Sequence, residues 1–199
     1  MALLHKYPIF IAIFLILVNM CFSSGFGKCP RHDFIHNFSL ERFAGHWYEI
    51  ERTFYLMELT VSCTTLDLID NNKGQFEVTV RTLSRWSGNI RVSDGIASSS
   101  RKDPSLLLYR VNTILPHSLA KYLPGAGFYQ ILDTDYDRFA ILWSCSNLGI
   151  VHSDRVWIFG RKKEIDANLR MQIYELLKSK GIDSDRLVLP KNNNCTDEY

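Results

Sequence analysis

The residue types able to do chemistry in this 199-residue chain are six histidines and five cysteines. His32 and His36 have a spacing that could suit a metal, but they precede the first expected strand, and two imidazoles without a third ligand seldom make a site. His46, His117 and His152 fall in or beside expected loops, with no Gly-x-Ser-x-Gly elbow or other nucleophile motif to serve. These residues therefore predict no metal, no cofactor and no catalytic group. Cys21 sits in an N-terminal apolar segment, which leaves Cys29, Cys63, Cys145 and Cys195 as an even set. Two disulfides are expected of such a set in an exported protein, and sequence alone allows three pairings. The wide spacing, without a Cys-x-x-Cys pair, argues against a zinc cluster or a thioredoxin-like motif.

Export itself is read from Lys6, the apolar run Ile9 to Val18, and the small residues Ser23, Gly25 and Gly27 that follow it. The run is short for a spanning helix, so residues 1–25 read as a signal peptide cut near 25–27, with a signal anchor as the alternative. The remainder, 26–199, suits one secreted, extracellular domain with a real core. Asn37-Phe38-Ser39 and Asn194-Cys195-Thr196 are glycosylation sequons. A formal net charge of +2, without a run of like charges, gives no sign of a nucleic-acid partner. Nothing in the composition sets an oligomeric state.

The elements that must position these residues are mostly strands. Alternating, β-rich segments lie at Trp47 to Phe54, Ser62 to Ile69, Gln75 to Leu83, Asn89 to Ala97, Leu106 to Asn112, Phe128 to Asp133, Phe139 to Cys145 and Arg155 to Gly160. Asp70-Asn71-Asn72-Lys73-Gly74, Ser87-Gly88 and Asp135-Tyr136-Asp137 supply tight turns between them. An eight-stranded antiparallel up-and-down meander leaves open edges unless it curls into a barrel, although periodicity alone does not separate a barrel from two packed sheets. Ile165, Leu169, Ile173, Leu176 and Leu177 then mark one amphipathic helix, capped by Asp166 and ended near Gly181, that packs outside the sheet. Leu187-Val188-Leu189 reads as a short extra strand. The link 113–127 is rich in apolar residues, among them Ile114, Leu115, Leu119, Tyr122 and Leu123. The favoured reading is a loop that folds over the barrel and buries its own leucines; the other is an exposed patch for lipid or a protein partner.

Gly45-x-Trp47, Thr134-Asp135-Tyr136 and Arg161 each have an ordinary local explanation, as a bend before a core indole, a hairpin turn and a cation at a strand end. In this order and spacing they resemble the three signature regions of the lipocalin family, over essentially the whole mature chain. Gly45-His46-Trp47-Tyr48-Glu49-Ile50, Asp133-Thr134-Asp135-Tyr136 and Ser144-Cys145 are most similar to its apolipoprotein D, Lazarillo and bilin-binding group. The resemblance implies an all-β, eight-stranded barrel with one C-terminal helix outside, and bridges Cys29–Cys145 and Cys63–Cys195. It further implies that Trp47 plugs the closed end while Arg161 lies across its ring.

The function implied is a non-enzymatic carrier of a small hydrophobic ligand: fatty acid, retinoid, steroid, pheromone or bilin. Thr64, Leu66 and Leu68, then Val78, Val80 and Thr82, then Leu107, Tyr109 and Val111 would face the cavity, with Trp86 and Tyr122 near its mouth. A one-residue slip would exchange these faces, and a small barrel can also fill itself with side chains. Leu68 and Gln130 stand where relatives carry aromatics, which points toward an aliphatic cargo. Two alternatives accompany the carrier: association with a lipid surface or lipoprotein through loop 113–127, and an isomerase of the lipocalin prostaglandin-synthase type using a free Cys63.

Overall fold

The computed structural model describes residues 24–54, 60–121, 123, 125–190 and 195. The expected leader up to residue 23, with Cys21, and also Tyr122 and Asn194, lie outside the described residues. Eight antiparallel strands form the barrel: β2 (Gly45–Thr53), β3 (Val61–Asp70), β4 (Gln75–Ser84), β5 (Ile90–Ser99), β6 (Leu106–Val111), β7 (Gly127–Thr134), β8 (Phe139–Asn147) and β9 (Val151–Gly160). Each pairs with its neighbour in sequence, and β9 pairs back onto β2 from Tyr48↔Gly160 to Arg52↔Trp157. That last ladder closes the sheet, so the barrel expected from the strand count is formed and the sandwich is not.

Two outer strands extend it. β1 (Ser24–Phe26) adds to β9 and β10 (Leu187–Val188) adds to β2. β1 lies across the expected cleavage site and was not anticipated as a strand. Its place follows from β9, which starts at Val151 rather than Arg155 and runs beyond its ladder with β2, leaving Val151–Ser153 an edge to be paired. Polar His152-Ser153-Asp154 hides this part of β9 in the sequence.

Strand alternation produces two separate cores. Side chains facing inward at the lower end include Trp47, Phe76, Ala97, Ile131, Ala140 and Phe159. The other face of β8 and β9, with Ile141, Trp143, Val156 and Ile158, packs on Leu169, Ile173 and Leu177 of the helix α3 (Ala167–Ser179). The helix is set by the Asp166 carboxylate, which accepts from Leu169 N–H at 2.9 Å, as its sequence position predicts. A short helix α1 (Leu40–Phe43), capped by Ser39 through Arg42 N–H, precedes β2 and carries Phe43 beneath the barrel. Another, α2 (His117–Ala120), lies in the link after β6.

The bridges join Cys29 to Cys145 and Cys63 to Cys195, with Cα separations of 6.0 and 5.6 Å. The first ties the N-terminal arm to β8, and the second ties the C-terminal segment to β3.

Candidate functional site

The direction of the strands gives the barrel two unlike ends. β2 starts at one end, beside the turns 71–74, 100–105 and 135–138, and the turns 85–89 and 148–150 with the link 112–126 lie at the other. The first end is plugged. Gly45, at φ +102°, lets the chain turn from α1 into β2, and a Cβ there would stand 3.0 Å from the Arg161 guanidinium. Trp47 then enters the barrel, donating its indole N–H to Phe43 C=O at 2.9 Å. Arg161 covers its ring, with Cζ 3.7 Å from the centroid, and donates to the carbonyls of Tyr136, His46 and Ala44 at 2.9, 3.0 and 2.8 Å.

The third signature supplies the turn that presents one of those carbonyls. Thr134 Oγ1 donates to Phe139 C=O and accepts from Tyr136 N–H, while Asp135 Oδ1 accepts from Arg138 and Phe139 N–H. These hydrogen bonds hold the Asp135 carboxyl below the usual carboxylate range, against the opposing effect of burial. Tyr136 sits at φ +69° and its hydroxyl accepts from Ser39 N–H, linking the turn to α1. The three motifs are therefore one structural unit.

Above the plug the inner wall is apolar. Leu66, Val80 and Val111 lie there, and Leu68, Val78, Leu107 and Tyr109, buried in the same cluster, connect them to the plug; these are faces that the family resemblance, not alternation alone, points inward. Tyr129 and Trp157 join them, in ring contact with each other and, through Tyr129, with Tyr109. Plug residues such as Trp47, Phe43, Phe76 and Phe159 are buried, yet Leu66, Val80, Val111, Tyr129 and Trp157 face the interior and keep accessible surface. Side chains therefore fill the lower barrel, and the inward side chains above it are only partly buried. A Cβ at Gly95 would stand 2.5 Å from the Tyr109 ring, so glycine is what allows Tyr109 to lie across β5. Burial pushes the Tyr109 hydroxyl above its ordinary value of 10.0.

Several expected positions fall elsewhere. Gln130 is the alternate to inward Tyr129 and Ile131; it lies outside the wall and donates to His32 and Asp33 C=O at 3.3 and 3.4 Å. It holds the N-terminal arm against the barrel. Thr64 is half-buried at a bulge between the pairs Ser62↔Leu83 and Thr65↔Arg81, where regular alternation stops. Thr82 continues the Val78 and Val80 face. Trp86 is at the open end, 82% exposed in the turn after β4. Asn37 is exposed in a turn at φ +59°. Against the self-burial favoured above, Ile114 is fully exposed and Leu115 and Leu119 are exposed, while Leu123 is half-buried.

The sequence reading missed the polar part of the interior. Glu49 pairs across the ladder with inward Phe159, and Arg52 with inward Trp157. Arg52 Nη1 lies 2.8 Å from Glu49 Oε1 and 3.1 Å from Oε2, both side chains being 2% exposed. Glu51, between them, points the other way and accepts from Arg170 Nε at 2.6 Å and Tyr174 O–H at 2.5 Å on α3. Burial and this carboxylate push the Tyr174 hydroxyl up to about 12.

Among the described residues no group of three His, Cys, Asp or Glu could hold a metal ion. His32 packs edge-on against Trp143, and His36 against Phe34. His46 lies on the outer wall, 2.6 Å from Asp67, which also pairs with Arg81. The bridge to Cys195 occupies the sulfur of Cys63, so the isomerase alternative loses the free thiol it requires.

Residues 38–192 match the sequence profile of the Lipocalin-like domain. The chain is 29% identical over 174 residues to apolipoprotein D of Cavia porcellus, covering 86% of each chain. It is 21% identical to the Lazarillo protein of Schistocerca americana, covering 88% of this chain and 79% of that one. Among solved structures, insecticyanin from the tobacco hornworm Manduca sexta superposes with a TM-score of 0.69 at 20% identity, covering 86% and 90% of the two chains.

Proposed function

This chain belongs to the lipocalin family, and from that premise we propose that it is an exported carrier holding a small hydrophobic ligand, without covalent attachment, in the upper half of its barrel. The observation that carries the reading is the plugged lower end beneath inward apolar and aromatic side chains that retain accessible surface. A ligand burying about 300 Å² of apolar surface there gains about 7.5 kcal/mol before ordering costs. That is the scale of a carrier that must also release its cargo. We read the protein as a binding protein rather than an enzyme, since the family precedent for catalysis uses the cysteine that is here bridged. The bridges Cys29–Cys145 and Cys63–Cys195, the leader 1–25 and the sequons at Asn37 and Asn194 support export. The test is extraction and identification of small molecules from protein secreted by its own cell type.

One further observation favours a second role that is compatible with the first. The open end presents Phe26, Trp86, Ile114, Leu119 and Ile150 to solvent, with exposed Arg85, Arg91 and Lys121 beside them. An apolar rim with cationic neighbours suits docking on an anionic lipid surface, where the mouth would face the source of its cargo. Vesicle flotation tests this reading, and binding to a protein partner instead would replace it.

A further inference from the structure

We infer that the outer wall of β3–β6 is a self-association surface, on which a second copy of this chain docks about a two-fold axis running along β5. The surface stands apart from the barrel interior and is independent of whether a ligand is held there.

The pairing register decides what this wall presents. Residues opposite each other on paired strands share a face. Val78 is opposite Gly95, and Ala97 is opposite Tyr109, which puts Gly95 and Ala97 on the inner wall and their alternates on the outer one. β5 therefore turns small residues inward and Ile90, Val92 and Ile96 outward. The same ladders align Ile69, Glu77, Ile96 and Arg110 in one row across β3, β4, β5 and β6. Ser98, Leu108 and Phe128 form the next row.

The apolar members of these rows meet solvent. Ile69, Val92 and Phe128 are more than half exposed, and Ile96 more than a third. α3 covers the outer wall of β8 and β9 and leaves this one open. An antiparallel sheet with one face in water ordinarily carries polar residues on that face, and a lone exposed isoleucine would be unremarkable. Here Ile96 adjoins Leu108, which pairs with Phe128, so the exposed apolar surface is continuous in the way that marks an interface.

Charge decides what covers it. Glu77 and Arg110 flank Ile96, each about one strand spacing of 4.8 Å away on opposite sides. Among the described residues neither side chain forms an ion pair or a hydrogen bond. A two-fold axis along β5 lays Ile96 on the Ile96 of a second copy and sets each Glu77 against the Arg110 of the other, so one contact is made twice and the pair is closed. A surface of a single charge sign would satisfy one of these side chains and repel the other. The patch is thus complementary to itself. Asp94, two residues along β5, faces its own copy in this arrangement; it is exposed and accepts from Thr79 Oγ1 at 2.7 Å, so water and salt screen that repulsion. Association of this kind is reversible.

The test is sedimentation equilibrium of the secreted, disulfide-intact protein at low salt, up to sub-millimolar concentration. The wild type should dimerise with a Kd of about 10 μM or tighter. Glu77→Lys alone, or Arg110→Glu alone, should weaken the dimer about tenfold or more, because each sets like charges together twice. Both reversals in one chain restore the pairing and should return Kd to within about threefold of the wild type. An equimolar mixture of the two single variants should form a heterodimer, since every contact in it is again between opposite charges. Ile96→Ser keeps the charges and should also weaken the dimer about tenfold. All these positions are exposed, so an unchanged Tm separates lost association from lost folding. A wild type that stays monomeric overturns the proposal. So does a dimer whose Kd no variant changes, or one that the double reversal fails to restore.

Discussion

The guanidinium carbon of Arg161 stands 3.7 Å from the centre of the Trp47 ring, and the same guanidinium donates to carbonyls on both sides of that indole. Arg161 thus closes the barrel floor by covering the plug and by joining α1, β2 and the β7–β8 turn. Replacing it by Ala removes the cation over the ring and leaves several partly buried carbonyls without donors. The expected loss is about 3 kcal/mol, or a fall of about 6 to 12 °C in Tm, read by thermal unfolding. Arg161→Lys should recover only part of it, because an ammonium cannot span the same carbonyls. A loss below about 1 kcal/mol would show that the floor is held by packing alone.

The Cys63–Cys195 bridge closes a loop spanning 132 residues and Cys29–Cys145 one spanning 116. Serine at either pair should lower stability by at most about 5 kcal/mol in denaturant unfolding, and removing both should cost less than the sum because the loops overlap. Protein secreted and denatured without reductant should show no free thiol. A stoichiometric thiol at Cys63 would return the isomerase alternative to consideration.

Two imidazoles make the fold sensitive to mild acid. Burial, with Lys180 adding to it and Asp154 and Asp33 opposing it, lowers the His32 pKa; burial, then Arg81 and Arg161, lowers that of His46. The Asp67 carboxylate beside His46 does not reverse this, because Arg81 shares it. A depressed folded pKa means that the unfolded chain binds protons more readily. The stability these groups contribute is full above the ordinary value of 6.5 and is lost as pH falls below it toward the folded values. Tm should therefore drop between neutral pH and about pH 5, and His32→Gln with His46→Gln should flatten that slope. An unaltered slope in the double variant would assign the effect to other groups.

The eight strands were legible in the sequence because hairpin turns and period-two alternation agree, whereas the plug was legible only through the family resemblance, since Gly45, Trp47 and Arg161 each have an ordinary local explanation. The same alternation grouped the residues that share a face on β3, β4 and β6, while the family resemblance supplied which face looks inward. Alternation failed where the backbone breaks that period. The bulge at Ile50 sends Glu49 and Arg52 inward together, although their sequence positions place them on opposite faces. Gln130 occupies the outward position between Tyr129 and Ile131, and its role depends on the N-terminal arm, whose docking no local pattern announces. Loop 113–127 carries enough leucine and isoleucine to suggest self-burial, but Ile114, Leu115 and Leu119 stand exposed.

Docking at the mouth predicts that the protein floats with vesicles containing anionic phospholipid and less with neutral ones. Trp86→Ser together with Ile114→Ser and Leu119→Ser should reduce flotation about tenfold or more while sparing small-ligand affinity. Equal flotation of the variant would assign the rim another purpose.

The most direct test of the carrier reading is native mass spectrometry of protein secreted from its own cell type, followed by organic extraction of whatever it holds. The account predicts one stoichiometric, apolar, non-covalently bound compound that is released on denaturation. An empty protein that also rejects retinoids, fatty acids, steroids, bilins and long-chain alcohols would contradict it.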